Sequence, residues 1–156
     1  MKTAKHLAMA GVIAALYVAL TYANDAGSFG AIQIRISEAL TVLPVFTPAA
    51  IPGLFIGCLA ANVIHGAVLP DIIFGSLTTL LAATLTRYFR KNIFAALAPP
   101  VVLNAVFVGL IVQFCYGSPF LLPVTMLTVG AGQLIACYAG GLGLYCLLRK
   151  HANRML

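Results

Sequence analysis

Acidic residues are nearly missing from this chain. Only Asp25, Glu38 and Asp71 occur among its 156 residues, against nine lysines and arginines, and tryptophan is absent. Charged residues make up 8% of the sequence, whereas a soluble domain carries roughly 25% because its surface faces water. A chain this poor in charge cannot cover itself with polar groups. A soluble globular fold is therefore excluded, and the lipid bilayer is the expected outer solvent. The sequence has no Walker A loop, which excludes a self-contained ATPase. It has no HExxH motif and no Cys-x-x-C pair, so Cys58, Cys115, Cys137 and Cys146 read as small apolar residues rather than metal ligands. No metal, no cofactor and no catalytic group is expected, and the chain is not read as an enzyme.

What it does have is apolar length. Hydrophobic residues make up 62% of the chain, and they fall into six candidate spans, at residues 7–23, 37–46, 51–67, 72–88, 93–114 and 121–148. The second is short and is interrupted by Pro44 and Pro48. The first 24 residues also fit a secretory signal, but the remainder is just as apolar, so they read as a first span. The net charge of +6 does not form a face or stripe, which argues against nucleic acid as a partner. The basic residues gather instead at Lys2 and Lys5, at Arg87, Arg90 and Lys91, and at Arg149, Lys150 and Arg154. Such clusters mark cytoplasmic ends. An even number of spans must then separate them, and four plus two satisfies this. The expectation is an all-α membrane protein of one domain: a bundle of six transmembrane helices with both termini cytoplasmic, multi-pass in a bacterial inner membrane. Residues 24–36, 67–71 and 115–120 would face outside.

Polar residues within this frame favour the outer half. An ionisable group at membrane depth is costly and is a functional candidate by default. All three acids and Arg35 fall on the outer side, as do Asn62, His65, Gln113 and Gln133, while Asn104 lies midway along the fifth span. A polar lining in one half only suggests a cup open to the outside, whereas a pore needs polar lining throughout.

The stretch Gly30–Leu40 is the most informative. Gln33 and Arg35 alternate with isoleucines, so an extended segment would put both on one face. Ser37 could cap the second span, with Glu38 in its positive first turn. If the helix starts earlier, Arg35 and Glu38 stand at i and i+3 and can pair. Glu38 and Asp71 would accept from a donor-rich ligand edge or an ammonium group, while Gln33, Asn62 and Asn104 can donate and accept towards a heterocycle. The bland alternative is a salt bridge holding the loop and amides bonding between helices. His65 and Gln133 are secondary candidates. In the first span, Ala10 with Ala14, or Gly11 with Ala15 and Ala19, form small-residue ridges suited to close packing, within the chain or against a partner.

The run Gly30-Ala-Ile-Gln-Ile-Arg-Ile-Ser-Glu-Ala-Leu-Thr-Val-Leu-Pro44 resembles the signature of the QueT family. Ile51-Pro-Gly-Leu-Phe-Ile-Gly57, Ala61-Asn62, Asp71-Ile-Ile-Phe-Gly-Ser76 and Val102-Leu-Asn-Ala105 resemble it further. The resemblance implies a substrate-binding S component of an energy-coupling factor (ECF) transporter, with six helices and no ATPase of its own. It implies a scaffold membrane subunit and two ATP-binding subunits as partners. The implied ligand is a 7-deazapurine queuosine precursor such as preQ1, preQ0 or queuine. An alanine motif on the first helix would pack on the scaffold, and Ala10 and Ala14 match it best. On this reading Gln33, Arg35, Ser37, Glu38, Asn62, Asp71 and Asn104 bind substrate. The alternative is an autonomous carrier or facilitator.

Overall fold

The computed structural model describes residues 2–24 and 35–150. Every regular element among these residues is helical, and six helices follow one another. α1 is Lys2–Ala23. α2, Ile36–Val45, is a 3-10 helix, and α3 is Ala50–His65. α4 opens as a π turn, Asp71–Gly75, and continues as Ser76–Tyr88. α5, Ile93–Cys115, and α6, Leu122–Arg149, each contain a π segment, at Asn104–Val108 and Ile135–Gly141. By length and composition α1, α5 and α6 are each long and apolar enough to cross a membrane.

The short second helix survives because it is enclosed. Ten residues at the 3-10 rise of about 2.0 Å reach roughly 20 Å, short of the ~30 Å hydrocarbon core of a bilayer. Seven of its residues, from Ser37 to Pro44, are buried, so protein rather than lipid surrounds it. Its C-terminal carbonyls lack partners within the helix. Arg87 supplies them, donating from Nη1 to the carbonyls of Pro44 at 3.0 Å and Val45 at 3.1 Å. A cation there also complements the negative end of the helix dipole.

α1 lies directly on α3, and two glycines make the approach possible. A Cβ on Gly53 would stand 2.8 Å from the Ala10 carbonyl oxygen, and one on Gly57 would stand 2.7 Å from Cβ of Tyr17 and 3.0 Å from the Ala14 carbonyl. Ala10 and Ala14 therefore pack within the chain. Gly11, Ala15 and Ala19 are left on the exposed side of α1, where a Cβ on Gly11 would meet nothing within 4 Å.

The bundle has two unlike ends. At one, the last turns of α1 meet the start of α2 through Thr21 and Ser37, and Asn62 near the end of α3 meets Asp71 at the start of α4. Gln113, Ser118 and Thr125 close the α5–α6 connection there. At the other, Arg87 holds the end of α2, Phe46 stacks on Tyr145 with ring centroids 5.4 Å apart, and Thr86 bonds the Ala96 carbonyl. Lys5, Arg87, Arg90, Lys91, Arg149 and Lys150 all belong to this second end. Hydroxyls between the ends are absorbed by their own helix: Ser76, Thr78, Thr79 and Thr84 each donate to the carbonyl four residues earlier.

Candidate functional site

Five helices converge side chains at the end opposite the basic residues. α1 contributes Tyr17 and Thr21, α2 Ser37 and Glu38, α3 Asn62, α4 Asp71 and α5 Asn104, and all are buried. Arg35, also buried, stands just ahead of α2 in extended backbone, φ −89 and ψ 107. The Tyr17 hydroxyl donates to Oε1 of Glu38 at 2.5 Å. Ser37 and Thr21 share a hydrogen bond of 2.8 Å. Asn62 donates from Nδ2 to the Asp71 carbonyl at 3.1 Å.

Arg35 pairs with Asp71, not with Glu38. Its Nη2 lies 3.6 Å from Oδ2 of Asp71. The i, i+3 pairing considered from sequence fails because the helix starts only at Ile36, so Arg35 never joins its face. Ser37 does not cap α2 either, since the N-cap is Arg35 and carries no side-chain capping bond; the Ser37 hydroxyl turns to Thr21 instead. Glu38 does occupy the first turn, where the dipole favours an acid. From the connection after α5, the Tyr116 hydroxyl donates to Oδ2 of Asp71 at 3.0 Å and accepts from the Val68 N–H at 3.4 Å. Burial, reinforced by the Asp71 carboxylate, pushes the Tyr116 phenol up to about 12. It stays a donor to Asp71 throughout the physiological range.

The decisive feature is what these bonds leave over. Oε2 of Glu38, Oδ1 of Asn62, Oδ1 of Asp71 and Nδ2 of Asn104 are buried with no hydrogen-bond partner. Each such atom costs about 1–3 kcal/mol when left unpaired, and native proteins pair nearly all of them. Here four occur together on α2, α3, α4 and α5. The Asn62 amide group donates to the Asp71 carbonyl and to the Cys58 sulfur at 3.8 Å, so its remaining capacity is as an acceptor. The set is three acceptors and one amide donor, with Nη2 of Arg35, ion-paired to Asp71 at 3.6 Å, as a fifth atom of the same kind; together they suit a small molecule offering both N–H groups and a carbonyl. The backbone is shaped to suit. Asp71 and Asn104 each open a π turn, a distortion common at functional sites. A Cβ on Gly75 would fall 2.5 Å from Oδ1 of Asp71, so a side chain there would have to displace that carboxylate.

A family model described as QueT transporter matches residues 7–150. The chain belongs to the QueT transporter family. It is similar to the queuosine precursor transporter QueT of Lactococcus lactis subsp. cremoris (strain MG1363), at 31% identity over 144 residues and 83% coverage of each chain. No solved structure matches it.

In this QueT family member the sequence-derived candidates divide into three groups. Arg35, Ser37, Glu38, Asn62, Asp71 and Asn104 come to the same end of the bundle and are buried. Gln33 lies outside the described residues. Of the secondary candidates, His65 is exposed on the last turn of α3, whereas Gln133 is buried in α6 and accepts from the Cys137 thiol at 3.7 Å. Cys137 also reaches the Glu38 carbonyl at 3.7 Å, which ties α6 to α2. Sequence reasoning missed Tyr17 and Tyr116. The available signal was general: a tyrosine in an apolar run must find a partner for its hydroxyl when buried. Grooves on the outside of the bundle are different in kind. One of about 290 Å³ between α5 and α6 is lined by Ala98, Val101, Val102, Leu134 and Tyr138, none of them in the buried cluster. Among the described residues no group of three or more His, Cys, Asp or Glu could hold a metal ion.

Proposed function

We propose that this chain is the substrate-binding membrane subunit of an ECF-type uptake transporter for a queuosine precursor, a 7-deazapurine such as preQ1, preQ0 or queuine. The observation that carries the reading is the set of buried, unpartnered acceptors on Glu38, Asn62 and Asp71, beside the free amide donor of Asn104. The edge of a 2-aminopyrimidinone ring offers adjacent N–H donors to acceptors of this kind, and its carbonyl accepts from an amide. The name of the Lactococcus relative supports the same ligand class.

On this reading all six helices cross the membrane, and the basic end faces the cytoplasm with both termini. The polar cluster then opens outward and takes ligand from outside. Energy comes from two ATP-binding subunits acting through a scaffold membrane subunit. The scaffold would meet the exposed Gly11, Ala15 and Ala19 side of α1, since Ala10 and Ala14 are engaged with α3. Ligand release inward requires the partner complex to favour a second state of this subunit.

Thermal unfolding of the detergent-purified chain with preQ0, preQ1, queuine and guanine tests the assignment. A ligand that binds only the folded state raises apparent stability. At least one deazapurine should do so; folded protein that responds to none of them would refute the substrate class. Uptake by this chain alone, in a host without ECF subunits, would favour the autonomous carrier.

A further inference from the structure

Asp71 is fully buried, but the side chain that bonds it from the α5–α6 connection is not. Tyr116 keeps 42% of its surface exposed while its hydroxyl donates to Oδ2 of Asp71 at 3.0 Å. Its ring therefore spans from the surface of the bundle to the polar cluster and covers the Asp71 side of it. The same hydroxyl accepts from the Val68 N–H at 3.4 Å, across 48 positions of sequence. One side chain thus clasps the α3–α4 turn to the α5–α6 connection.

The ring stands on a fixed base. The Ser118 and Thr125 hydroxyls share a hydrogen bond of 2.9 Å, Thr125 donates to Gln113 at 2.8 Å, and the Ser118 N–H reaches the Val112 carbonyl at 3.3 Å. Between this staple and the ring stands Gly117. Among the described residues only Gly66 and Gly117 take left-handed backbone, at φ 75 and 67. Gly66 ends α3 and leads into the clasped turn; Gly117 follows the clasping tyrosine. A Cβ on either would meet nothing within 4 Å, so the clasp has open space at both of its turns. Releasing the ring costs two hydrogen bonds, and water can replace both at a half-exposed position.

We infer that Tyr116 is the gate of the site: the ring is the leaf, the hydroxyl is the bolt on Asp71 and Val68, and ligand passes when the ring swings out. This rests on the cluster being the ligand site. Oδ1 and Oδ2 of Asp71 belong to one carboxylate. A ligand bonded at the free Oδ1 fixes the Oδ2 that holds the bolt, so occupancy steadies the closed gate.

The test measures the binding kinetics of preQ0 and preQ1 on the full chain in detergent at neutral pH. Tyr116→Phe keeps the leaf and removes the bolt. Association and dissociation rate constants should both rise about tenfold, with the dissociation constant moving less than either. Faster dissociation alone would make Tyr116 a support for Asp71, and unchanged rates would put the entrance elsewhere; both overturn the gate and leave the deazapurine reading standing. Wild type that binds neither probe overturns that reading and the gate with it. Hydrogen exchange on wild type decides the matter where the variant does not fold. Bound probe should slow exchange at the Val68 N–H, which faces the bolt, more than at the Ala67 N–H, which bonds the Asn62 carbonyl at 3.0 Å. Equal slowing, or none, overturns the inference.

Discussion

Tyr17 and Glu38, 21 positions apart in sequence, are joined by a buried hydrogen bond of 2.5 Å. The tyrosine is itself fixed, because its Cβ lies over Gly57 of α3. One oxygen of the carboxyl is thereby immobilised, and the other is presented as an acceptor. Hydrogen bonds to charged groups contribute about 1.5–3 kcal/mol. Tyr17→Phe keeps the ring and removes the donor, so it should weaken ligand binding about tenfold or more by calorimetry while the protein still folds. Unchanged affinity would make the bond purely structural.

Arg35 and Asp71 form a second buried pair. Removing one partner of such a pair strands the other and costs about 3–5 kcal/mol. Arg35→Gln should therefore lower the unfolding temperature clearly. Adding Asp71→Asn should cost less than the sum of the two single changes, because the stranded charge disappears. Strict additivity in thermal unfolding would deny the coupling.

Gly75 tests the shape of the site. Gly75→Ala places a methyl group against Oδ1 of Asp71, 2.5 Å away before relaxation. The strain of overpacking is about 1–3 kcal/mol, and the carboxylate is the group that must yield. Ligand affinity should fall by about tenfold, whereas Gly11→Ala, with open space around it, should leave affinity unaltered. Equal behaviour of the two variants in binding titrations would contradict the geometry.

Tyr116 makes a pH prediction. Its phenol is raised from the ordinary 10.0 to about 12 by burial and then by the Asp71 carboxylate. The folded protein thus holds this proton more tightly than the unfolded chain. The stability it contributes is complete below pH 10 and is lost as pH rises towards about 12. Unfolding temperatures of wild type and Tyr116→Phe, followed from about pH 9 to about pH 12, should converge as the phenol ionises. Curves that stay parallel across that window would rule out the tyrosine as their cause.

The apolar pattern located all six helices, including the proline-interrupted second, because hydrophobic runs and turns are local properties. The 3-10 form of α2 and the π turns at Asp71 and Asn104 were not legible, since tertiary packing selects them over the ordinary period. Arg35, Glu38, Asn62, Asp71 and Asn104 stood out because polarity is conspicuous in a chain this apolar. Their pairings did not. Whether Arg35 meets Glu38 or Asp71 depends on where α2 begins and on how α4 lies beside it. Tyr17 looked like any aromatic of a membrane span until α2 was seen to bring Glu38 to it. The inward register of Ala10 and Ala14 was hidden for the same reason: it is set by Gly53 and Gly57 on another helix.

Arg87 grips the terminal carbonyls of α2 at the basic end, while Glu38 projects from the first turn of that same short helix. The helix thus runs from the basic end of the bundle to the buried polar cluster. A subunit that competed for Arg87 would loosen the foot of that helix, and the carboxylate at its head would feel the release without being touched.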